Sequence, residues 1–177
     1  MRKLSLFIAS SLDGYIAKPN DDLSFLKLVE KEGEDYGYAK FTSTIDTIII
    51  GRKTFNYVLK EIGPSHYDNG ERDVYVMTRT ERPSVGKIKF YTANLTELVH
   101  RLKSENGKNI YCDGGAEIIN ELLKNDLIDE LIISVIPILL GNGIRLFKDG
   151  RPEQTLEFVT SKTFDTGLIQ LYYKRKK

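Results

Sequence analysis

The chain has 177 residues, a formal net charge of +1, 41% hydrophobic and 29% charged residues, the balance of one globular domain with a substantial core rather than of a disordered chain. So small a charge sets up no field that would draw nucleic acid or an anionic membrane surface, and no apolar run has the length that spans a bilayer. Cys112 is the only cysteine, which excludes an internal disulfide and suits a reducing cytoplasm.

Residues 3–9, KLSLFIA, alternate and are rich in branched and aromatic side chains, so they are predicted as a strand. Two positive charges before an apolar run mimic a signal sequence, but Asp13, Gly14, Lys18 and Pro19 follow at once. SLDGYIAKPNDD, 11–22, is read as a loop and 35–45 as a helix, with Tyr38, Phe41 and Ile45 at helical spacing. DTIII, 46–50, has the unrelieved apolar pattern of a strand buried on both faces; Gly51 ends it and 52–62 continue as a helix. HYDNGERD, 66–73, is a loop, with strands at 74–78 and 88–91.

Residues 94–107 give a helix with one stripe of Leu95, Leu98, Val99 and Leu102, Asn94 as its cap and Gly107 past its end. A strand at 109–113 and a helix at 116–124 follow, the latter with Ile118, Ile119, Leu122 and Leu123 inward. Residues 130–139 read as a long strand meeting an edge or bulge at Pro137. LGNGIRLF, 140–147, is a loop, and 156–176 a β-hairpin turning at Asp165-Thr166-Gly167. The basic end 174–177 is a solvated tail. Strands alternate with helices and the end turns antiparallel. The expected fold is therefore three-layer α/β/α, with a mostly parallel central sheet and an antiparallel C-terminal edge hairpin, in one domain over 1–177.

In such sheets ligands gather beyond the carboxyl ends of the strands, and three of those ends carry anion chemistry. In CDGGAE, Gly114 and Gly115 bare the backbone before a helix, so a diphosphate can approach, with Ala116, Glu117 and Ile118 supplying main-chain contacts. The plainer alternative is a tight turn with no ligand. In IIIGRKTF, Gly51, Arg52, Lys53 and Thr54 open a helix. Cations there oppose the helix dipole, which a bound anion would explain and a solvated basic turn would not. In VMTR, Thr78 and Arg79 end a strand. Arg79 and Arg52 can converge on one phosphate monoester, such as the 2′-phosphate of NADPH, although a surface arginine is the simpler reading.

Other signals are negative. LGNGIRLF lacks the last glycine of a dinucleotide fingerprint. His66 and His100 lack metal-ligand spacing, no G-x-S-x-G elbow occurs, and the tyrosines are too dispersed for an RNA-stacking platform.

In order along the chain, SLDGYIA, DTIIIGRKTF, VYVMTR, CDGGAEIINELL and IPILLGNGIRLF resemble the dihydrofolate-reductase-like superfamily. The closer similarity is to the reductase half of the bifunctional riboflavin-biosynthesis deaminase-reductase and its free-standing relatives. That resemblance implies an eight-stranded sheet, NADPH, hydride transfer and a homodimer. It places Gly51, Arg52, Lys53 and Thr54 on phosphate, Thr78 and Arg79 at the 2′-phosphate, Gly114 to Ile118 at the diphosphate, and Ala9 and Ile16 beside the nicotinamide. The chain has no Trp, so the Pro-Trp element of true dihydrofolate reductases is missing. Their single acidic site residue matches Asp35 best, with Tyr38 and Ala39 on the same helix face binding substrate, and Asp22 as the rival. A buried carboxylate there would have a raised pKa and relay a proton. The expected function is an NADPH-dependent reductase of a pteridine or pyrimidine-type heterocycle, in riboflavin or folate metabolism. A reductase of a quinone, flavin or xenobiotic carbonyl, and a non-catalytic NADPH sensor, remain open alternatives.

Overall fold

The computed structural model describes residues 1–67 and 70–176. Its central strand, β1 (Leu4–Ser11), is followed by a short β2 (Tyr15–Ala17), and β1 runs parallel to β6 (Asn109–Gly114) on one side and β7 (Glu130–Ile136) on the other. Beyond β6 lie β3 (Ile45–Gly51), β4 (Asp73–Met77) and β5 (Ile88–Tyr91), all parallel. Beyond β7 the sheet turns antiparallel through β10 (Ile169–Arg175) to β9 (Leu156–Thr163), giving eight strands in the order β5-β4-β3-β6-β1-β7-β10-β9. The expected mostly parallel sheet with an antiparallel edge hairpin is what forms.

Helices cover both faces because alternate side chains leave β1, β3 and β6 on opposite sides. Ile49, Leu4, Leu6 and Cys112 pack with α3 (Leu95–Ser104) and α4 (Ala116–Lys124). Ile48, Ile50 and Tyr111 pack with α1 (Tyr38–Thr42) and α2 (Arg52–Glu61). Burial pushes the Cys112 thiol up to about 12, so it behaves as a small hydrophobe. At the sheet edge where the parallel strands begin, the buried Arg2 pairs with Asp46 and donates to Thr47 Oγ1 at 2.6 Å and the Leu102 carbonyl at 3.3 Å. The carboxyl ends of β1, β3, β4 and β6 therefore all open on the opposite edge.

The structure corrects several element boundaries. The helix expected over 35–45 is only α1, because Tyr36 (φ 54) and Gly37 (φ 82) are left-handed just before it and Ile45 already belongs to β3. The strand expected over 130–139 stops before Pro137, which has no N–H for a ladder. Two segments read as loops contain β2 and β8 (Ile144–Arg145), which pair antiparallel as a separate small sheet. Elements so short leave no periodicity to read. A 3₁₀ turn at Ser24–Val29 buries Phe25 and Val29 against Ile136 and Leu168. The expected loop 66–73 includes Asp68 and Asn69, and the basic end includes Lys177; these residues lie outside the described ones.

Candidate active site

β3 and β6 are neighbours, with Ile50 level with Gly114, and each leads directly into a helix. The amino ends of α2 and α4 thus lie side by side. Gly114 has φ +100, which an L side chain rarely adopts, and its peptide bond to Gly115 is cis. A Cβ on Gly115 would lie 2.7 Å from Thr54 Oγ1, inside van der Waals contact. The glycine pair is therefore dictated twice over, once by backbone conformation and once by the close approach of the α2 start.

Neither helix is capped by a side chain: Gly51 and Gly115 occupy the cap positions. α3 shows the contrast, since Asn94 Oδ1 accepts from the amides of Thr96 at 2.8 Å and Glu97 at 3.1 Å. The first-turn amides of α2 and α4 are left to whatever occupies the groove between them, and both helix dipoles point their positive ends there.

A cavity of about 520 Å³ opens over these two ends. β3 and α2 contribute Gly51, Arg52, Lys53 and Thr54, the end of β4 contributes Thr78 and Arg79, and α4 contributes Gly115, Ala116, Glu117 and Ile118. Arg52, Lys53 and Arg79 form no ion pair among the described residues, whereas Glu117 is tied to Lys148. A second cavity of about 360 Å³ shares Lys53, Thr54, Gly115 and Ile144 with the first, so the two make one groove. Ala9, Ile16 and Gly114 line this second part. A third hollow of about 620 Å³ continues from it past Phe7, Ala9 and Leu26 and carries Asp35 and Tyr38.

The β1–β2 turn is held against the segment after β7 by one carboxylate. Asp13 accepts from Ser11 Oγ at 2.5 Å, Gly141 N at 2.7 Å and Leu140 N at 3.1 Å, and these bonds bring its pKa down to about 2. β2 and β8 pair beside this clamp, and Ile16 and Ile144 from these two strands both line the groove.

Asp113 stands in the wall of the second cavity. Tyr67 and Tyr111 both donate their phenolic O–H to it, Tyr111 at 2.6 Å. The Phe7 carbonyl, 3.2 Å from the Tyr111 phenol oxygen, shares that same proton as the longer branch of a bifurcated bond. Burial raises the Asp113 pKa above its ordinary value, against the opposing pull of the two phenols and of His66. Burial first, and the Asp113 charge second, raise both phenols as well, so they stay protonated donors. This carboxylate faces the groove, is held in place, and titrates upward from the usual range.

Asp35 does not have the environment expected of it. It is exposed, and its two oxygens accept from Ala39 N at 2.9 Å and Gly37 N at 2.8 Å, which lowers its pKa rather than raising it. The reason is local: Asp35 precedes a five-residue helix instead of lying within a longer one, and its carboxylate binds the amides at that helix's entry. Ala39 lines none of the three cavities. The rival Asp22 is also exposed and is held low chiefly by the amide and hydroxyl of Ser24. The residue that sequence reasoning passed over is Asp113. Its cue was present in CDGGAE, an acid one position before the glycine pair; the two tyrosines that hold it come from distant parts of the chain. Among the described residues no group of His, Cys, Asp and Glu is placed to hold a metal ion.

Residues 2–170 match the family model of the RibD C-terminal domain. The chain is 40% identical to the uncharacterized protein YwjB of Bacillus subtilis (strain 168) over 175 residues, covering 98% of each. It is 31% identical to the uncharacterized protein YyaP of the same organism, covering 97% of this chain and 94% of that one. A candidate riboflavin biosynthesis protein from Shewanella sp. PV-4 superposes with a TM-score of 0.88 at 30% identity, covering 99% of both chains. The RibD of Acinetobacter baumannii has the same fold, with a TM-score of 0.72 at 17% identity over 99% of this chain and 58% of that one.

Proposed function

Because the chain belongs to the RibD C-terminal domain family, we propose that it is an NADPH-dependent reductase of a planar pyrimidine- or pteridine-type heterocycle. The observation that carries this reading is the pairing of two side-chain-uncapped helix starts across Gly114 and Gly115 with three cations around them that form no ion pair among the described residues. Glycine at both cap positions, where α3 uses asparagine, suits an anion that brings its own acceptors. The 2′-phosphate falls to Arg52 and Arg79, the diphosphate to Gly114, Gly115 and the Ala116–Ile118 amides, with Lys53 and Thr54 beside it. Ala9 and Ile16 form the apolar wall for the nicotinamide. Bound there, NADPH would supply a hydride from C4 of its nicotinamide.

The rest of the work is done by this chain's side chains. Phe7, Leu26 and Tyr38 present an apolar surface that excludes water from the reacting carbon and orients a flat ring. Asp113 holds a proton at a raised pKa beside that ring and delivers it to a nitrogen or oxygen of the substrate. Tyr67 and Tyr111 keep the carboxylate in one orientation. We assign the proton to Asp113 in place of Asp35.

We place the enzyme in the cytoplasm, where its lone buried thiol stays reduced. Among the described residues no helix is long and apolar enough to cross a membrane. We further propose a homodimer through the outer hairpin, supported by the exposure of Phe158 (56%), Ile169 (42%) and Leu156 (38%) on β9 and β10. Sedimentation of the wild type as a dimer and of Phe158→Glu as a monomer is the expected result. The functional reading is tested by NADPH oxidation, followed by absorbance, on adding pteridine and pyrimidine acceptors. Tight NADPH binding with no oxidation by any of them would favour the sensor.

A further inference from the structure

The groove changes sign along its length. At the cofactor end Arg52, Lys53 and Arg79 form no ion pair among the described residues and outnumber the two acids there, Asp21 and Glu117, of which Glu117 is tied to Lys148. At the far end the hollow of about 620 Å³ is rimmed by Glu30, Glu32, Glu34 and Asp35, with Lys31 as its one cation among the described residues. Lys31 is already bound to Asp165 at 3.0 Å. Lys162, near enough to help hold Asp35 ionised, lies 4.2 Å over the Phe164 ring and lines none of the three cavities. Among the described residues no arginine lines the hollow or the middle cavity, and the only cation in the middle one, Lys53, is shared with the cofactor end.

We infer, on the reductase reading above, that the substrate is a planar heterocycle, neutral or cationic, that carries no phosphate group. The apolar floor of Phe7, Leu26, Ile136 and Leu168, with Tyr38 edge-on to Phe7 at 5.8 Å, accepts a flat ring. Asp113 meets that ring at the inner end, where it delivers its proton. A phosphate attached to that ring would reach outward into the carboxylates, where no side chain offers it a fork of donors and four negative charges oppose it. The acidic rim is a filter at the mouth rather than a binding site. It rejects anions at the substrate end while the basic end takes the phosphates of the cofactor, so one groove tells its two ligands apart by charge.

The test is a calorimetric titration of the full-length protein, with and without NADPH, using 7,8-dihydroneopterin against its monophosphate and 5-amino-6-ribosylaminouracil against its 5′-phosphate. In at least one pair, at about 50 mM salt, the unphosphorylated member is expected to bind at least about tenfold tighter, the gap shrinking to below about threefold at about 0.5 M salt as screening removes the repulsion. Glu30→Gln with Glu32→Gln should narrow the gap at low salt in the same way and leave NADPH affinity within about twofold. Equal affinity in both pairs (including no binding of either member), a preference for the phosphate, or a gap that neither salt nor neutralisation moves, overturns the inference. NADPH titrated alone separates the two levels. Failure to bind it removes the reductase reading, whereas NADPH binding with the phosphorylated ligand preferred removes only the filter.

Discussion

Tyr111 and Asp113, two residues apart on β6, project from the same side of the sheet and share a 2.6 Å hydrogen bond. The phenol reaches past its own strand to the Phe7 carbonyl as well. A carboxylate gripped in this way has one orientation, and it is the orientation that faces the groove.

Asp113→Asn should therefore lower kcat/KM by about 10²–10⁴-fold, the usual worth of a positioned proton donor. Asp35→Asn should change it by less than about twofold, because that carboxylate is spent on the Gly37 and Ala39 amides, which lower its pKa. The folded-state pKa of Asp113 is raised above its ordinary value of 3.8. The native state accordingly holds the proton more tightly than the unfolded chain, and the stability this group contributes is complete at low pH and is lost as pH rises through the raised pKa. Wild-type kcat/KM should decline over the same interval. In Asp113→Asn the stability slope above pH 3.8 should flatten, which urea melts across that range will show.

Tyr67 donates to the other Asp113 oxygen and stacks on Phe55 with ring centroids 5.5 Å apart. Tyr67→Phe keeps the stack and removes only the donor. It should cost about 1–3 kcal/mol, the range for leaving a buried acceptor without one of its partners. The alkaline decline in kcat/KM should move to higher pH, since one of the interactions holding the carboxylate down has gone.

The 2.7 Å approach of a Gly115 Cβ to Thr54 Oγ1 makes the two positions interdependent. Gly115→Ala should destabilise the fold by about 1–3 kcal/mol through overpacking and weaken NADPH by at least about tenfold. Adding Thr54→Ala removes the hydroxyl in the way, so the stability loss of the double variant should be well below the sum of the single losses. Strict additivity in chemical denaturation would mean that the contact is not the cause.

Arg52→Ala and Arg79→Ala should each weaken NADPH by about 10–100-fold and NADH by less than about threefold, since each removes a charged partner that only the 2′-phosphate requires. Fluorescence titrations of both nucleotides report this. Equal losses for the two would place the 2′-phosphate elsewhere.

How much of this could be read from the residues depended on whether the signal was local. The amphipathic stripe from Leu95 to Leu102 with its Asn94 cap, the apolar run ending at Gly51, and the helix at 116–124 are local patterns, and each formed where the spacing placed it. The glycine pair and the basic first turn were legible for the same reason. Asp35 was misjudged because burial is not local. Left-handed Tyr36 and Gly37 shortened the helix and put the carboxylate in solvent. Asp113 was passed over because its environment is assembled from Tyr67, a residue 46 positions away, and from a strand pairing that sequence spacing does not display.

We propose that the α2 and α4 starts, flanked by Arg52 and Arg79, hold a 2′-phosphorylated dinucleotide. Equilibrium titration of the wild-type protein with NADPH, read by the fluorescence of the reduced nicotinamide, tests it most directly. Saturable binding with Kd at or below about 10 µM, and NADH weaker by at least about tenfold, is the expected result. No saturation by NADPH at millimolar concentration, or equal affinity for the two nucleotides, would contradict it.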